Sequence, residues 1–262
     1  MFGAIAGDVI GSRFEKNNIK TKDFQLFHED CRFTDDTVLT VAVADAILGK
    51  KDYAENIRKY AIKYPLAGYG GTFKKWMAGV IKGPYNSWGN GSAMRVSPIA
   101  WAWDNWKKAL EEAKRSAAVT HNHPEGIKGA QALTMAIAMA RKGRTKVQIK
   151  KIVNQYFPYD LDRSIASIRP DYSFDVSCQG SVPEAIIAFL ESENFEDAIR
   201  TAISIGGDSD TIACMSAAIA EAHYGKPSQE FREKVYAYLP QTFIDSLEAF
   251  EKAYPVTKQD RF

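Results

Sequence analysis

The chain has 262 residues, 45% of them hydrophobic, and its formal net charge at pH 7 is +2. A chain of this length and apolar content can bury one large core, so we expect a single domain that spans residues 1–262. The nearly balanced charge gives no electrostatic footprint for a nucleic acid or an anionic membrane surface, and we expect neither as a partner.

The cysteines and the N-terminal segment bear on the compartment. Cys31, Cys178 and Cys214 cannot pair completely, and they form no metal-type cluster. This usage favours a reduced compartment and predicts a cytoplasmic protein. Residues 1–10 are apolar, but they lack a basic flank and Asp8 interrupts them. We therefore predict that this stretch is neither a signal peptide nor a membrane span.

Apolar residues recur at helical spacing along most of the chain. Gly49 and Gly225 each follow such a segment, at the position where a glycine commonly ends a helix. Ser181 and Glu184 have the spacing of a capping box and predict a helix that begins there and runs through Leu190. The other predicted helices are residues 38–48, 53–64, 106–119, 127–141, 195–205, 212–224, 231–238 and 242–254. No run alternates apolar and polar residues between hairpin turns, so we predict an all-α fold, a single compact domain of orthogonal helices.

Two stretches are less regular. Residues 141–151 carry six basic side chains and few apolar ones, which predicts a solvated turn and the start of a helix. Residues 158–180 are polar and contain two prolines and several aspartates. A loop of this length in a compact domain is usually functional or partly helical.

Two short motifs place paired carboxylates immediately before apolar helical segments. Thr-Asp-Asp-Thr at residues 34–37 precedes the first segment, and Gly-Gly-Asp-Ser-Asp-Thr at 206–211 precedes the second. One such motif alone is typical of a helix N-cap, but neighbouring carboxylates repel each other unless a cation lies between them. The two motifs together supply four carboxylates and several hydroxyls. Such a set of oxygen ligands suits Mg²⁺ first and Mn²⁺ second, rather than zinc. We therefore predict a divalent-metal site at two helix N-termini.

The segment from Gly7 to Glu15 is ambiguous when it is considered alone. Gly7 and Gly11 are four residues apart, a spacing that permits a close approach between helices. Asp8 and Glu15 share one face if a helix persists through both. Asp8 is then a cap or a buried hydrogen-bonded carboxylate, and Glu15 is an acid–base candidate if its face points toward the metal pair.

A glycine-containing turn and a histidine pair complete the candidates. The turn from Ser87 to Arg95 could cradle a phosphate at the start of a helix, or it could be an ordinary turn. Trp88 within it could stack on a planar group or pack against the protein. His121 and His123 lack the further ligands of a zinc site, so we predict a hydrogen-bonding role for His121 at a pocket wall.

Taken together, these residues resemble the ADP-ribosylglycohydrolase family, which includes the dinitrogenase reductase-activating glycohydrolases. The resemblance covers almost the whole chain, and the motifs occur in the family's order. They are Gly-Asp…Gly…Glu at 7–15, Thr-Asp-Asp-Thr at 34–37, Gly-Asn-Gly-Ser-Ala-Met-Arg at 89–95, Thr-His-Asn-His-Pro at 120–124, Ser-Cys-Gln-Gly-Ser-Val-Pro-Glu-Ala at 177–185 and Gly-Gly-Asp-Ser-Asp-Thr at 206–211. The last of these is the most specific match.

The resemblance implies an all-α domain with two Mg²⁺ ions at the base of an ADP-ribose cleft, with the active site at helix N-termini. The residues that match the family's metal ligands are Thr34, Asp35, Asp36, Asp208, Asp210 and Thr211. The residues that fall where relatives hold the diphosphate and distal ribose are Ser87, Trp88, Gly89 and Asn90, and His121 falls on the wall of the same cleft. Glu15 matches a glutamate that contacts the substrate ribose or a metal, and we take Glu15 or Asp35 as the catalytic carboxylate.

The implied reaction is hydrolysis at ribose C1″ through an oxocarbenium-like transition state, which frees ADP-ribose from a modified side chain. We expect a monomer that acts on an ADP-ribosylated protein or an ADP-ribosyl conjugate. We favour ADP-ribosyl-arginine, because the motif set resembles the arginine-directed branch and because Asp162, Asp171 and Asp175 could meet a cationic side chain. The alternatives are a serine-linked substrate, a metal-dependent phosphohydrolase and a non-catalytic crystallin-like role. The four metal-type aspartates argue against the last.

Overall fold

The computed structural model of the chain describes residues 1–255. Over these residues the chain forms fourteen α-helices and no β-strand, which confirms the predicted all-α fold. The helices are α1 (Phe2–Gly11), α2 (Asp35–Gly49), α3 (Tyr53–Lys63), α4 (Gly71–Met77), α5 (Ser97–Ala102), α6 (Trp106–Ala118), α7 (Pro124–Arg141), α8 (Lys146–Tyr156), α9 (Ile165–Ile168), α10 (Cys178–Glu191), α11 (Phe195–Ile203), α12 (Ser209–Tyr224), α13 (Gln229–Tyr236) and α14 (Gln241–Ala253). Short 3₁₀ turns follow α1 and precede α5.

Helix α12 forms the centre of the core. Every residue from its start through Glu221 is buried, because α1, α7, α10 and α11 pack around it. Between Ile212 and Ala220 the helix therefore carries only apolar or small residues, as expected of a helix segment with no solvent face. Apolar side chains from all fourteen described helices join one contiguous core.

Helix α1 lies unusually close to α12. A Cβ atom on Gly7 would lie 2.2 Å from the carbonyl oxygen of Ala213, and one on Gly3 would lie 2.3 Å from that of Ala217. A Cβ on Gly11 would lie 2.6 Å from the Cα of Asp210. The glycine spacing thus permits the close helix contact that the sequence indicated. It also brings the last turn of α1 to the first turn of α12, where the candidate site lies.

The capping-box prediction at Ser181 is wrong. Helix α10 begins at Cys178, and the hydroxyl of Ser177 accepts from the backbone N–H of Gly180. Ser181 lies inside the helix and donates its hydroxyl to the carbonyl of Ser177. An isolated antiparallel bridge between Gly89 and Ser177 holds the preceding residues extended, which decides which of the two serines caps the helix.

For five helices the sequence analysis predicted no helix with stated bounds. They are α1, α4, α5, α8 and α9. Helix α8 extends beyond the predicted helix start because Thr145 and Gln148 form a complete capping box at its N-terminus. Helix α9 makes the stretch 158–180 partly helical, and the first residues of α10 complete that stretch.

Candidate active site

The N-termini of α2 and α12 meet at the base of a cleft. Thr34 is the N-cap of α2, and its hydroxyl oxygen accepts from the backbone N–H of Asp36. Asp208 is the N-cap residue of α12, and Asp210 lies in that helix's first turn. The hydroxyl of Thr211 donates to Oδ2 of Asp36 over 3.1 Å, which joins the two helix starts directly. Both helices begin earlier than their apolar runs, so the paired carboxylates sit within the first turns.

A buried acidic cluster lies at this junction. One carboxylate oxygen from each of Asp8, Asp36 and Asp210 lies within 4.8 Å of the others. Asp8 comes from the last turns of α1, so three helices supply the cluster. Because α1 ends at Gly11, Asp8 and Glu15 do not share one continuous helix, and Glu15 lies beyond a 3₁₀ turn.

Asp8 is satisfied by the protein itself. Its Oδ2 accepts from the backbone N–H groups of Thr34 (2.9 Å) and Thr37 (3.0 Å), and also from the hydroxyl of Thr37. Its Oδ1 accepts from the hydroxyl of Thr34 over 2.6 Å. Asp8 is therefore a buried, hydrogen-bonded carboxylate, which is one of the two roles that the sequence predicted for it. Its role is to hold the first turn of α2 in place.

Asp36 is not satisfied in this way. Its Oδ1 is buried and has no hydrogen-bond partner within residues 1–255. An anionic oxygen buried without a donor is costly, and a cation is the group that would compensate it. All of the nearby ligand atoms are carboxylate or hydroxyl oxygens, which is the donor set of Mg²⁺ or Mn²⁺. The residues present therefore fit a divalent metal ion.

The pKa values of the cluster agree with this electrostatic argument. Burial, together with the charge of Asp8, raises the pKa of Asp35 to about 8. Burial and the charge of Asp8 raise the pKa of Asp36 well above its usual range. Burial and the charge of Asp208 do the same for Asp210. The cluster must therefore bind either protons or cations at neutral pH.

The cleft above the cluster has a volume of about 700 Å³. It is lined by Thr34, Asp35, Asp36, Asp208, Asp210, Thr211 and Glu15 at its base, and by Ser87, Gly89, Asn90 and His121 on one wall. Asp35 is partly exposed to the cleft, and its backbone N–H donates to the carbonyl of Ala67 over 2.7 Å. The structure thus brings together all of the predicted site residues except Trp88.

Trp88 lies outside the lining of the cleft. Its side chain is 54% exposed, and its ring contacts the ring of His123 edge to face, with centroids 5.7 Å apart. Its predicted stacking role stays a prediction. His123 instead caps α7, where its Nδ1 accepts from the backbone N–H of Glu125. His121 and His123 therefore have separate structural roles, in agreement with the argument against a zinc site.

The glycine turn is held against the start of α10. The backbone N–H of Asn90 donates to the carbonyl of Val176 over 2.7 Å, and that of Cys178 donates to the carbonyl of Trp88 over 2.9 Å. The side-chain amide of Asn90 donates to Oδ2 of Asp208 over 2.6 Å. The turn leads into a 3₁₀ turn, and α5 begins only at Ser97, so the expectation that it opens a helix directly is wrong.

The aspartates of the stretch 160–175 do not line the cleft. Asp162 forms an ion pair with Lys150 over 2.7 Å, and neither residue lines the cleft. Asp175 accepts from the backbone N–H of Ser177. The residues of this region that do reach the cleft are Phe174 and Val176. The lining therefore contains apolar side chains of this loop and none of its aspartates, and the role of those aspartates toward an arginine substrate stays a prediction.

Sequence reasoning missed a group of basic side chains in the cleft. Lys16, Arg32 and Lys74 line it and are exposed, and none of them has an ion-pair partner within residues 1–255. Each is one cation among the 34 lysines and arginines of the chain. Nothing in their local sequence distinguishes them, because three separate segments bring them together.

Comparison with known proteins identifies the class. Residues 1–258 match the family model for ADP-ribosylglycohydrolase, and the chain belongs to that family. It is an enzyme of the ADP-ribosylglycohydrolase class. A solved chain described as "ADP-ribosylglycohydrolase-related protein complex" has the same fold, with a TM-score of 0.70 and 20% identity over 99% of this chain and 97% of that one.

Two curated relatives illustrate the range of the family. The chain is 26% identical to the ADP-ribosylhydrolase ARH3 of Mus musculus, over 95% of this chain and 86% of that protein. It is also 26% identical to the ADP-ribosylarginine hydrolase Tri1 of Pseudomonas putida, over 78% of this chain and 62% of that protein. Among the described residues, no helix is long and apolar enough to cross a membrane.

Proposed function

We propose that this enzyme is a Mg²⁺-dependent hydrolase that frees ADP-ribose from modified protein side chains by cleaving the bond at ribose C1″. The observation that supports it best is the buried, unpartnered Oδ1 of Asp36 inside a three-helix acidic cluster. This cluster lies at the base of a cleft large enough for a nucleotide-sized ligand, since pockets of roughly 300–1,000 Å³ hold small molecules.

The residues proposed to hold the metals are Thr34, Asp35, Asp36, Asp208, Asp210 and Thr211. Bound there, two divalent ions would bind the cis-diol of the ribose and acidify a water molecule. Thr34 and Thr211 orient the carboxylates, because Thr211 donates to Asp36 and Thr34 caps the turn that carries it. Mn²⁺ is the alternative metal, because its ligand preferences are the same.

The chain's own residues supply the proton transfers. Glu15 and Asp35 both line the base of the cleft, and either carboxylate could accept the proton of the attacking water. As the water oxygen bonds to C1″, the bond to the leaving atom breaks and its electron pair stays on that atom. The leaving atom then takes the proton that the carboxylate removed from the water, which restores the carboxylate. The glycine turn at residues 87–90 would hold the diphosphate, and His121 would contribute a hydrogen bond beside it.

The leaving group has two candidates. The arginine linkage is supported by the similarity to an ADP-ribosylarginine hydrolase. The serine linkage is supported by the structure, because Lys16, Arg32 and Lys74 line the cleft and would repel a cationic guanidinium. A neutral serine, or one in an acidic sequence, meets no such repulsion. The acidic rim that would favour arginine is absent from the lining, so the geometry favours serine.

A panel of defined conjugates tests both levels of the proposal. Peptides with ADP-ribosyl-serine and ADP-ribosyl-arginine in the same sequence are incubated with Mg²⁺ or with excess EDTA, and the products are identified by mass. We expect free ADP-ribose in Mg²⁺ only, and faster release from serine. AMP with ribose phosphate would instead identify a phosphohydrolase, and full release in EDTA would refute the metal requirement.

A further inference from the structure

A buried arginine lies behind the glycine turn. Arg95 is fully buried, and its Nη2 donates to the carbonyl of Ser116 over 2.8 Å and to the hydroxyl oxygen of Thr120 over 3.1 Å. It has no carboxylate partner within residues 1–255. A guanidinium can only donate, so the hydroxyl of Thr120 must be the acceptor in this bond.

The direction of the next hydrogen bond follows from the first. The hydroxyl of Thr120 lies 2.7 Å from Nδ1 of His121. That oxygen accepts from Arg95, and among the described residues Nδ1 of His121 is the acceptor to which the hydroxyl can donate, so we assign its single hydrogen to Nδ1. Nδ1 of His121 then accepts, and a neutral ring must carry its proton on Nε2.

The ring of His121 is kept neutral by its surroundings. Burial, together with the positive charge of Arg95, lowers the pKa of His121 well below its ordinary value. Its Nε2 faces the glycine turn, since a Cβ on Gly91 would lie 3.2 Å from that nitrogen and one on Gly89 would lie 3.4 Å from it. The only N–H of the ring therefore points toward the backbone that lines the cleft.

We propose that Arg95 and Thr120 are positioning residues that hold His121 as the neutral tautomer protonated on Nε2, so that it donates into the turn at residues 87–91. There it would contact the diphosphate of the substrate, and this part rests on the proposed function. The uncompensated charge of Arg95 adds a favourable field for an anion at the same place. The chain Arg95–Thr120–His121 thus makes a fixed donor out of a side chain that otherwise has two tautomers.

Thr120→Val tests the proposal because it removes the hydroxyl with little change in shape. The ring ¹⁵N chemical shifts of His121, assigned with His121→Gln, report its tautomer in the ligand-free protein, and calorimetry with ADP-ribose reports binding. We expect the wild type to be protonated on Nε2 only. Thr120→Val should mix the tautomers and weaken ADP-ribose binding about tenfold, the worth of one hydrogen bond to a charged group. Thr120→Ser should restore both.

Thr134→Val is the matched control, since Thr134 is equally buried but donates to Ala130 within α7. It should leave the shifts and the affinity unchanged. Arg95→Lys is a second test of the same chain. It keeps the positive charge but loses the guanidinium N–H that donates to Thr120, so this variant should also contain both tautomers of His121.

A wild-type ring protonated on Nδ1 would overturn the proposal. So would unchanged shifts and unchanged ADP-ribose affinity in folded Thr120→Val or Arg95→Lys. If the wild type shows the expected tautomer but does not bind ADP-ribose, the proposed function fails while the positioning of His121 stands.

Discussion

The side-chain amide of Asn90 donates a 2.6 Å hydrogen bond to Oδ2 of Asp208, and this bond joins the glycine turn to the acidic cluster. The bond lowers the pKa of Asp208, although burial raises it overall. Two parts of the cleft that are 118 residues apart in sequence are therefore coupled through two side chains. A ligand that orders one of them is expected to order the other.

The first prediction concerns this bond. Asn90→Ala removes the amide that donates to the carboxylate of Asp208. A hydrogen bond to a charged group is worth roughly 1.5–3 kcal/mol. We expect ADP-ribose to bind about tenfold or more weakly in the presence of Mg²⁺, as measured by calorimetry. The control is Asn122→Ala, because Asn122 accepts from Asn86 near the same turn and does not touch the acidic cluster. Equal losses in the two variants would show that the coupling bond has no special role.

The second prediction concerns the unpartnered oxygen of Asp36. Without metal, Asp36 must take up a proton or stay as a buried anion, because its pKa is raised well above its usual range. Asp36→Asn replaces it at almost constant shape with an amide that is neutral at every pH, so the metal-free variant avoids that cost. We expect a higher melting temperature than the wild type in EDTA, no further rise when Mg²⁺ is added, and at least 100-fold lower activity. Asp30→Asn, at an exposed carboxylate, is the control and should change none of these values. A Mg²⁺-induced rise that survives in Asp36→Asn would contradict the assignment of this ligand.

The third prediction is a pH dependence of the metal-free protein. The raised pKa of Asp35, about 8, and the higher values of Asp36 and Asp210 mean that the folded state binds more protons than the unfolded state above pH 4. The free energy of unfolding should therefore fall as the pH rises. His121 has a lowered pKa and contributes the opposite slope, but only below about 6.5.

The clean window for this test therefore lies between about pH 6.5 and pH 8. In EDTA the free energy of unfolding, measured with urea, should decrease across it. In saturating Mg²⁺ the carboxylates are held ionised and the decrease should disappear. A metal-free protein whose stability rises toward pH 8 would contradict the raised pKa values of the cluster.

The fourth prediction concerns the contact between α1 and α12. Gly7→Ala places a Cβ 2.2 Å from a backbone oxygen, and neither helix can yield without disturbing the core. We expect a loss of about 3 kcal/mol or more in the free energy of unfolding. The same substitution at Gly83, where a Cβ would meet nothing within 4 Å, should change it by less than about 0.5 kcal/mol. Similar effects at the two positions would show that the close approach of the helices is not required.

The fifth prediction concerns the choice of leaving group. Lys16 and Lys74 line the cleft without a carboxylate partner. The double substitution Lys16→Glu and Lys74→Glu reverses the charge that these two side chains bring to the cleft. We expect the ratio of kcat/KM values for serine- and arginine-linked peptides to shift toward arginine by about tenfold at low salt. The shift should shrink at high salt, because the charges are exposed. A salt-independent ratio that equals the wild-type ratio would mean that these two side chains do not contact the leaving group.

Local chemistry explains what could be predicted from the sequence. An N-cap followed by acidic residues and a long apolar run specifies a helix start, whatever the rest of the fold does. The starts of α2 and α12 were therefore recognisable as carboxylate-bearing helix N-termini. Most other helices were recognisable from their periodicity, and α10 was placed wrongly because two serines four residues apart could each cap it.

The sequence by itself determined the helical class, the two acidic helix starts and, through its motifs, the enzyme family. Tertiary structure alone decided which side chains meet. It decided that Asp8 supports the cluster, that Arg95 and Thr120 lie behind His121, and that the loop at 160–175 presents Phe174 in place of its aspartates. The physical reason is that a cap or a periodic face depends on residues a few positions apart, whereas a cleft is formed by segments that only the packing of α1 against α12 brings together.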